Sequence, residues 1–226
     1  MRIRLFVWIA LAAISVSGVV CSAQMSKEQR KERRELEKDA RKQLNEKASK
    51  DARKQAKQMA KEGWKVAPGA LPLEKQLDRA YIMTQEYDYD GYPKFIMAEA
   101  MSVGGNYDAA KMQALALAKQ NLAGLIQTEV GAMVESSVSN QQMDMGDAAS
   151  ITRSLMESKN LINQSLGRVI PVVETYREVN GRNREVRVQI AYSQDMAREI
   201  AKRAIRQDLE ERGDSLRNKL DKVLGW

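Results

Sequence analysis

Histidine is absent from the 226 residues. That excludes a Ser-His-Asp triad, a Cys-His pair and the common histidine-bearing zinc sites. The only cysteine is Cys21, so no disulfide can form within the chain and stability must come from packing. No Walker loop is present, and no GxGxxG follows a strand. A carboxylate pair can still run hydrolysis without histidine. Glu99, Glu129 and Glu135 are the candidates near apolar segments, but no spacing selects two of them. The expectation is a protein that is not an enzyme, with no cofactor, catalytic residue or metal ligand assigned.

The amino terminus has the form of a secretory signal peptide. Arg2 and Arg4 give a positive start, Leu5 to Val20 an apolar run, and Cys21-Ser22-Ala23 a small-residue cleavage site before Gln24. The apolar run is short for a spanning helix, which needs roughly 20 residues. Lipidation of Cys21 is the alternative, but Gly18 and Val20 fit a lipid-attachment box poorly. Export and a formal charge of +7 point to the periplasm or outer membrane of a Gram-negative bacterium. Such a location argues against nucleic acid as a partner.

Residues 25–62 form one block with fourteen Lys/Arg and eight Asp/Glu, and with no Pro, Gly or aromatic residue. Strong helix formers and the pairs Glu37/Arg41 and Glu46/Lys50 predict one long helix, with Gly63 as its C-cap. Leu36, Ala40, Leu44, Ala48, Ala52, Ala56 and Ala60 recur every four residues. Each such step overshoots a turn by roughly 40°, so the stripe winds around the helix and cannot stay on a straight partner. A solvated or loosely docked helix is expected, or a basic arm on an anionic surface. No sustained heptad supports a coiled coil.

Farther along, Trp64 to Pro72 reads as a linker. Leu73 to Gln85 reads as a short helix with Leu73, Leu77, Ala80 and Tyr81 on one side. Lys94 to Val103 has strand character. From Asp108 the period is helical, with Asn106 or Asp108 as cap. Its apolar face is Ala110, Ala114, Leu117, Ala118, Leu122, Leu125, Ile126, Val130 and Val134. Ser136 to Gly146 is a polar connection, and Asp147 to Leu166 a second helix anchored by Ile151, Leu155, Leu161, Ile162 and Leu166.

After Gly167 the period is two, and Asn180-Gly181 signals a hairpin. A two-residue loop would pair Val173 with Val188 and Thr175 with Val186, and a longer loop over Asn180 to Asn183 would shift that register. Ser193 caps a helix over 194–212, with Met196, Ala197, Ile200, Ala204 and Leu209 inward. Leu216 to Trp226 suggests one more short helix.

The expected organisation is a signal peptide over 1–23, a basic helical extension over 24–63, a linker and short helix over 64–91, a core over 92–212 and a terminal helix over 213–226. The fold class is α+β, a small antiparallel sheet of about three strands with helices packed on one face, preceded by a long basic helix.

Two stretches raise ligand questions. Glu86, Asp88 and Asp90 precede Gly91 with the spacing that opens a calcium loop. The bidentate position falls on Met97, and Pro93 and Lys94 depart from the pattern, so a turn into a strand explains it better. The tyrosines between them are expected to cover a sheet edge or the base of a helix. Gly104 to Asp108, between strand and helix, lies where phosphates can bind but lacks a phosphate loop's further glycines and lysine.

The runs YPKFIMAEAMSVGGNYDAAKMQALALAKQNLAGLIQTEV, SKNLINQSLGRVIPVVETYRE and REVRVQIAYS resemble the lipoprotein-twenty family of Gram-negative outer-membrane lipoproteins. The amino-terminal domain of the flagellar protein FlgT is similar to that family, and the whole chain resembles a group of exported Bacteroidetes proteins. The resemblance covers roughly Tyr92 to Ser193 and implies an envelope-located, non-enzymatic α+β domain. The expected partners are another envelope protein at the core and anionic lipid, lipopolysaccharide or peptidoglycan along residues 25–62. The alternative is a periplasmic small-ligand or ion-binding module using Gly104–Asp108 or Glu86–Asp90.

Overall fold

The computed structural model describes residues 27, 30–31, 34–35, 38, 42, 46–89, 91–140 and 145–211. The signal peptide expected over 1–23, Asp90, residues 141–144 and the short helix expected over 213–226 lie outside them. The chain divides into two units, Met1–Glu46 and Lys47–Trp226. In the first, the described residues up to Lys42 are helical, and Lys42 Nζ lies 4.0 Å from Glu46.

The second unit begins with a break. Residues 47–49 are not helical, and a fresh helix α1 spans Lys50–Lys61. The Ser49 hydroxyl oxygen accepts the Ala52 N–H at 3.2 Å, as an N-cap should. This corrects the single helix expected over 25–62. Ala52, Ala56 and Met59 are buried, so the last turns of the basic block are part of the folded unit and not a solvated arm.

Helix α2 follows over Leu73–Thr84, then β1 over Phe95–Gly104 and α3 over Tyr107–Ser139. Helices α4, Met145–Glu157, and α5, Lys159–Ser165, replace the one helix expected over 147–166. The split falls at Ser158, whose buried hydroxyl lies 2.5 Å from the Ser154 carbonyl oxygen and 3.3 Å from that of Ala204. A buried hydroxyl needs such partners: Ser154 lies one turn back in α4, and Ala204 reaches it from elsewhere in the chain. Strands β2, Ile170–Val179, and β3, Asn183–Ser193, lead into α6, Gln194–Glu211.

The α+β class is as expected. The sheet has three antiparallel strands in the order β1-β3-β2. Ile96 and Ala98 of β1 and Val186, Val188, Ile190 and Tyr192 of β3 turn to the face covered by α3. Alanines at 110, 114 and 118 let α3 lie close to that sheet, and α4 to α6 close the core around Leu122, Ile126 and Val130. A smaller apolar cluster lies on the second face, where Met97, Val173 and Ala191 meet Ala56, Met59, Trp64, Leu73 and Met83. Helices α1 and α2 thus cover part of the side opposite α3. Leu117, Leu125, Tyr81 and Met196, expected inward, are exposed: at 100° per residue Leu117 and Leu125 sit at the margin of the α3 stripe, while Tyr81 and Met196 fall on the outer side of their helices.

The hairpin register differs from the two-residue expectation. Val179 pairs with Asn183, leaving Asn180 to Arg182 as the loop, with Asn180 and Gly181 at positive φ. Val173 therefore faces Gln189, and Thr175 faces Arg187. A one-residue shift exchanges faces: it places Val173 under α1 and α2, and Glu174 and Tyr176 toward α3. The register shifts between Pro171 and Val173, and both Val172 and Val173 are buried there. Proline is tolerated at such a place because β2 is an edge strand.

Candidate functional site

Helix α1 is built with two opposed faces. At 100° per residue, Lys50, Lys54, Lys57 and Lys61 fall on the side away from Ala52, Ala56 and Met59, and all four are exposed. The helix is pinned at its start by the Ser49 N–H, which donates to Asp78 Oδ1 of α2 at 3.1 Å. Beyond its end, the Trp64 N–H donates to the Met59 carbonyl at 3.0 Å. Lys65 then pairs with Tyr176 through two backbone hydrogen bonds of 2.7 and 2.8 Å, which covers part of the outer edge of β2. The Arg177 guanidinium lies 4.6 Å from the Trp64 ring centroid, within cation–π range.

These contacts frame a groove of about 460 Å³. Ala56, Ala60, Trp64 and Leu73 form its apolar walls. The exposed cations Arg53, Lys57 and Lys65 line it too, with Glu74 as the acidic residue among the described lining. The sequence pointed to the cations but not to the groove, because Trp64 and Lys65 fell in a stretch read as linker.

A second polar constellation sits where α3 starts. The Tyr107 hydroxyl donates to Glu174 of β2, and Lys111 Nζ lies 2.8 Å from the same carboxylate. Tyr176 meets the Tyr107 ring edge to face at 5.3 Å. Burial raises the Tyr107 phenol above its ordinary value, and the hydrogen bond and charge of Glu174 add to that. Each group has its partner inside the cluster, so it acts as a clamp between helix and sheet. Sequence reasoning missed it. The Tyr107/Lys111 spacing of four was visible, but Glu174 joins them only in the shifted register.

Of the stretch EYDYDGYP, Asp90 lies outside the described residues, and the others form a turn closed by hydrogen bonds. The Lys94 N–H donates to the Glu86 carbonyl at 2.9 Å and the Asp88 N–H to that of Tyr92 at 2.8 Å. Asp88 Oδ1 accepts the Tyr92 N–H at 2.8 Å, and Gly91 holds φ at 82°. The side chain that calcium would need thus closes the turn. Among the described residues no group of three carboxylates is placed to hold a metal. Tyr92 lies beneath Arg198 of α6 at 5.2 Å, whereas Tyr89 projects fully into solvent and covers nothing.

At Gly104 to Asp108 the helix N-terminus is filled by its own cap. Asn106 Oδ1 accepts the Ala109 N–H at 2.8 Å, and the Asn106 carbonyl accepts that of Ala110 at 3.2 Å. The three carboxylates considered for hydrolysis have separate settings. Glu99 pairs with Arg187 at 2.6 Å, Glu129 accepts from Gln194 Nε2 at 2.6 Å, and Glu135 is exposed on α3. No described helix is long and apolar enough to cross a membrane. No family model matches the chain, and neither a curated protein nor a solved structure matches it.

Proposed function

We propose that this is an exported cell-envelope protein of the Gram-negative periplasm or outer membrane, acting by interaction and not by catalysis, and similar to the lipoprotein-twenty proteins. Its basic amino-terminal block tethers it to an anionic envelope surface, while the α+β core docks another envelope protein. The observation that carries this reading is α1: a cationic stripe fixed on a folded unit, with its apolar side buried. A docked helix presents its lysines without the ordering cost that a flexible arm would meet at a surface. The leader and the basic block of residues 25–62 support the same reading. At the core, β1 is an edge strand with Met101 and Val103 half exposed, a side where another chain can add.

The test is co-sedimentation of the full chain from Gln24 with anionic vesicles, zwitterionic vesicles and peptidoglycan sacculi. A Lys50→Gln/Lys54→Gln/Lys61→Gln variant keeps the buried side of α1 intact. At about 1 kcal/mol per surface cation, it should lose on the order of a hundredfold in affinity for anionic vesicles. Salt should release the native chain, because exposed charges are screened beyond about 10 Å at 0.1 M. Equal pelleting of variant and native chain at low salt would sink the tether.

A further inference from the structure

The geometry points to the groove between α1 and the Trp64–Leu73 segment as a binding site for single anionic amphiphiles. An acyl chain would lie against Ala56, Ala60, Trp64 and Leu73, with a phosphate or carboxylate held by Arg53, Lys57 and Lys65. This rests on the envelope reading for where such molecules are met, but the site itself is defined by the fold.

Its volume of about 460 Å³ falls within the roughly 300–1,000 Å³ of small-molecule sites. The space exists because residues 56 and 60 are alanines, so no long side chain of α1 fills it. Among the described residues, no carboxylate is ion-paired with Lys57 or Lys65, and Arg53 gives one N–H to the Ser49 carbonyl at 3.4 Å. Two lysines and a guanidinium beside an apolar trough suit a molecule with one charged end and one apolar end. The walls are also held in place before any ligand arrives. Trp64 is fixed by Met59 and stacked by Arg177, and Lys65 is paired to β2. Preorganisation of this kind favours affinity.

The experiment uses the full chain from Gln24 with Trp226→Phe, which leaves Trp64 as its only indole. Trp64 emission is followed while lysophosphatidylglycerol is added below its micelle concentration. A saturable change is expected. Arg53→Gln/Lys57→Gln should weaken it about tenfold or more, and Ala60→Phe, which fills the trough from an exposed position, should abolish it. Lysophosphatidylcholine should bind at least several-fold more weakly, and inorganic phosphate alone should leave Trp64 unchanged. No response of Trp64 to lysophosphatidylglycerol overturns the proposal. So does equal binding of the zwitterionic lipid, the same response to phosphate alone, or unchanged binding in both variants. The Lys50→Gln/Lys54→Gln/Lys61→Gln chain separates the two readings. If it still binds the monomeric lipid while neither it nor the native chain pellets with vesicles, the tether fails and the groove stands.

Discussion

Gly104 ends β1 where α3 begins, and its replacement by alanine is the sharpest test of how closely helix and sheet meet. A Cβ there would lie 2.8 Å from the Ala110 backbone nitrogen, 3.1 Å from its Cα and 3.2 Å from its Cβ. None of these atoms can swing aside, so the helix must move. Overpacking of this kind costs about 1–3 kcal/mol. Removing a glycine also restricts the unfolded chain, which returns roughly 0.4–1 kcal/mol. The net expectation is a loss of about 1–2 kcal/mol. For a chain of this size that lowers Tm by roughly 2–8 °C. Gly105 is the control: a Cβ added there meets nothing within 4 Å, and its φ lies outside the left-handed range. Gly105→Ala should therefore be neutral or slightly stabilising. Both variants are compared by thermal melts followed by circular dichroism, with urea titration for the free energy. Equal stability of Gly104→Ala and the native chain would refute the close approach. An equal loss in Gly105→Ala would show that the effect is not the contact with Ala110.

The loop closed by Asp88 separates a structural carboxylate from an ion ligand. Asp88→Asn keeps an acceptor for the Tyr92 N–H and should stay within about 0.5 kcal/mol of the native chain, whereas Asp88→Ala should lose about 1 kcal/mol. Millimolar calcium should leave the native Tm unchanged; a rise that Asp88→Asn removes would restore the calcium reading. Tyr107 predicts an alkaline limb. Its proton is held more tightly folded than unfolded, where the ordinary value is 10.0. Its stabilisation is thus fully present below about pH 10 and is lost as pH rises toward the raised folded value. Tyr107→Phe should lower neutral stability by about 1–2 kcal/mol and flatten the limb, with a residual slope from Tyr192, also raised by burial. Urea titrations at stepped pH measure this, and parallel limbs in the two proteins would count against it.

The sheet strands and α3 are legible in the sequence because each has a clean period. The Ala110, Ala114, Ala118 and Leu122 stripe, the alternation in β3 and the Asn180-Gly181 turn all lie where the periods put them. The register is not legible, because Asn-Gly marks where a turn sits and not how many residues it uses. Arg182 joins the loop, so Glu174 and Tyr176 reach the face that Tyr107 and Lys111 occupy. The clamp was hidden for that reason alone: its members were ordinary residues until one pairing decision brought them together. The irregularity at Val172 then offsets the extra loop residue, and Ile170 returns to pair with Ala191 on the opposite face.

The basic block has a similar explanation. A stripe of alanines every four residues drifts by roughly 40° at each step, and a long helix following it would carry its apolar side away from any fixed surface. The break at residues 47–49 removes that conflict. Only Ala48, Ala52 and Ala56 are then used, and Met59, one residue short of the next step, turns the stripe back toward the sheet. A short docked helix thus satisfies a pattern that a long one cannot. It also fixes Lys50, Lys54, Lys57 and Lys61 outward, so the cationic stripe follows from where the alanines are buried.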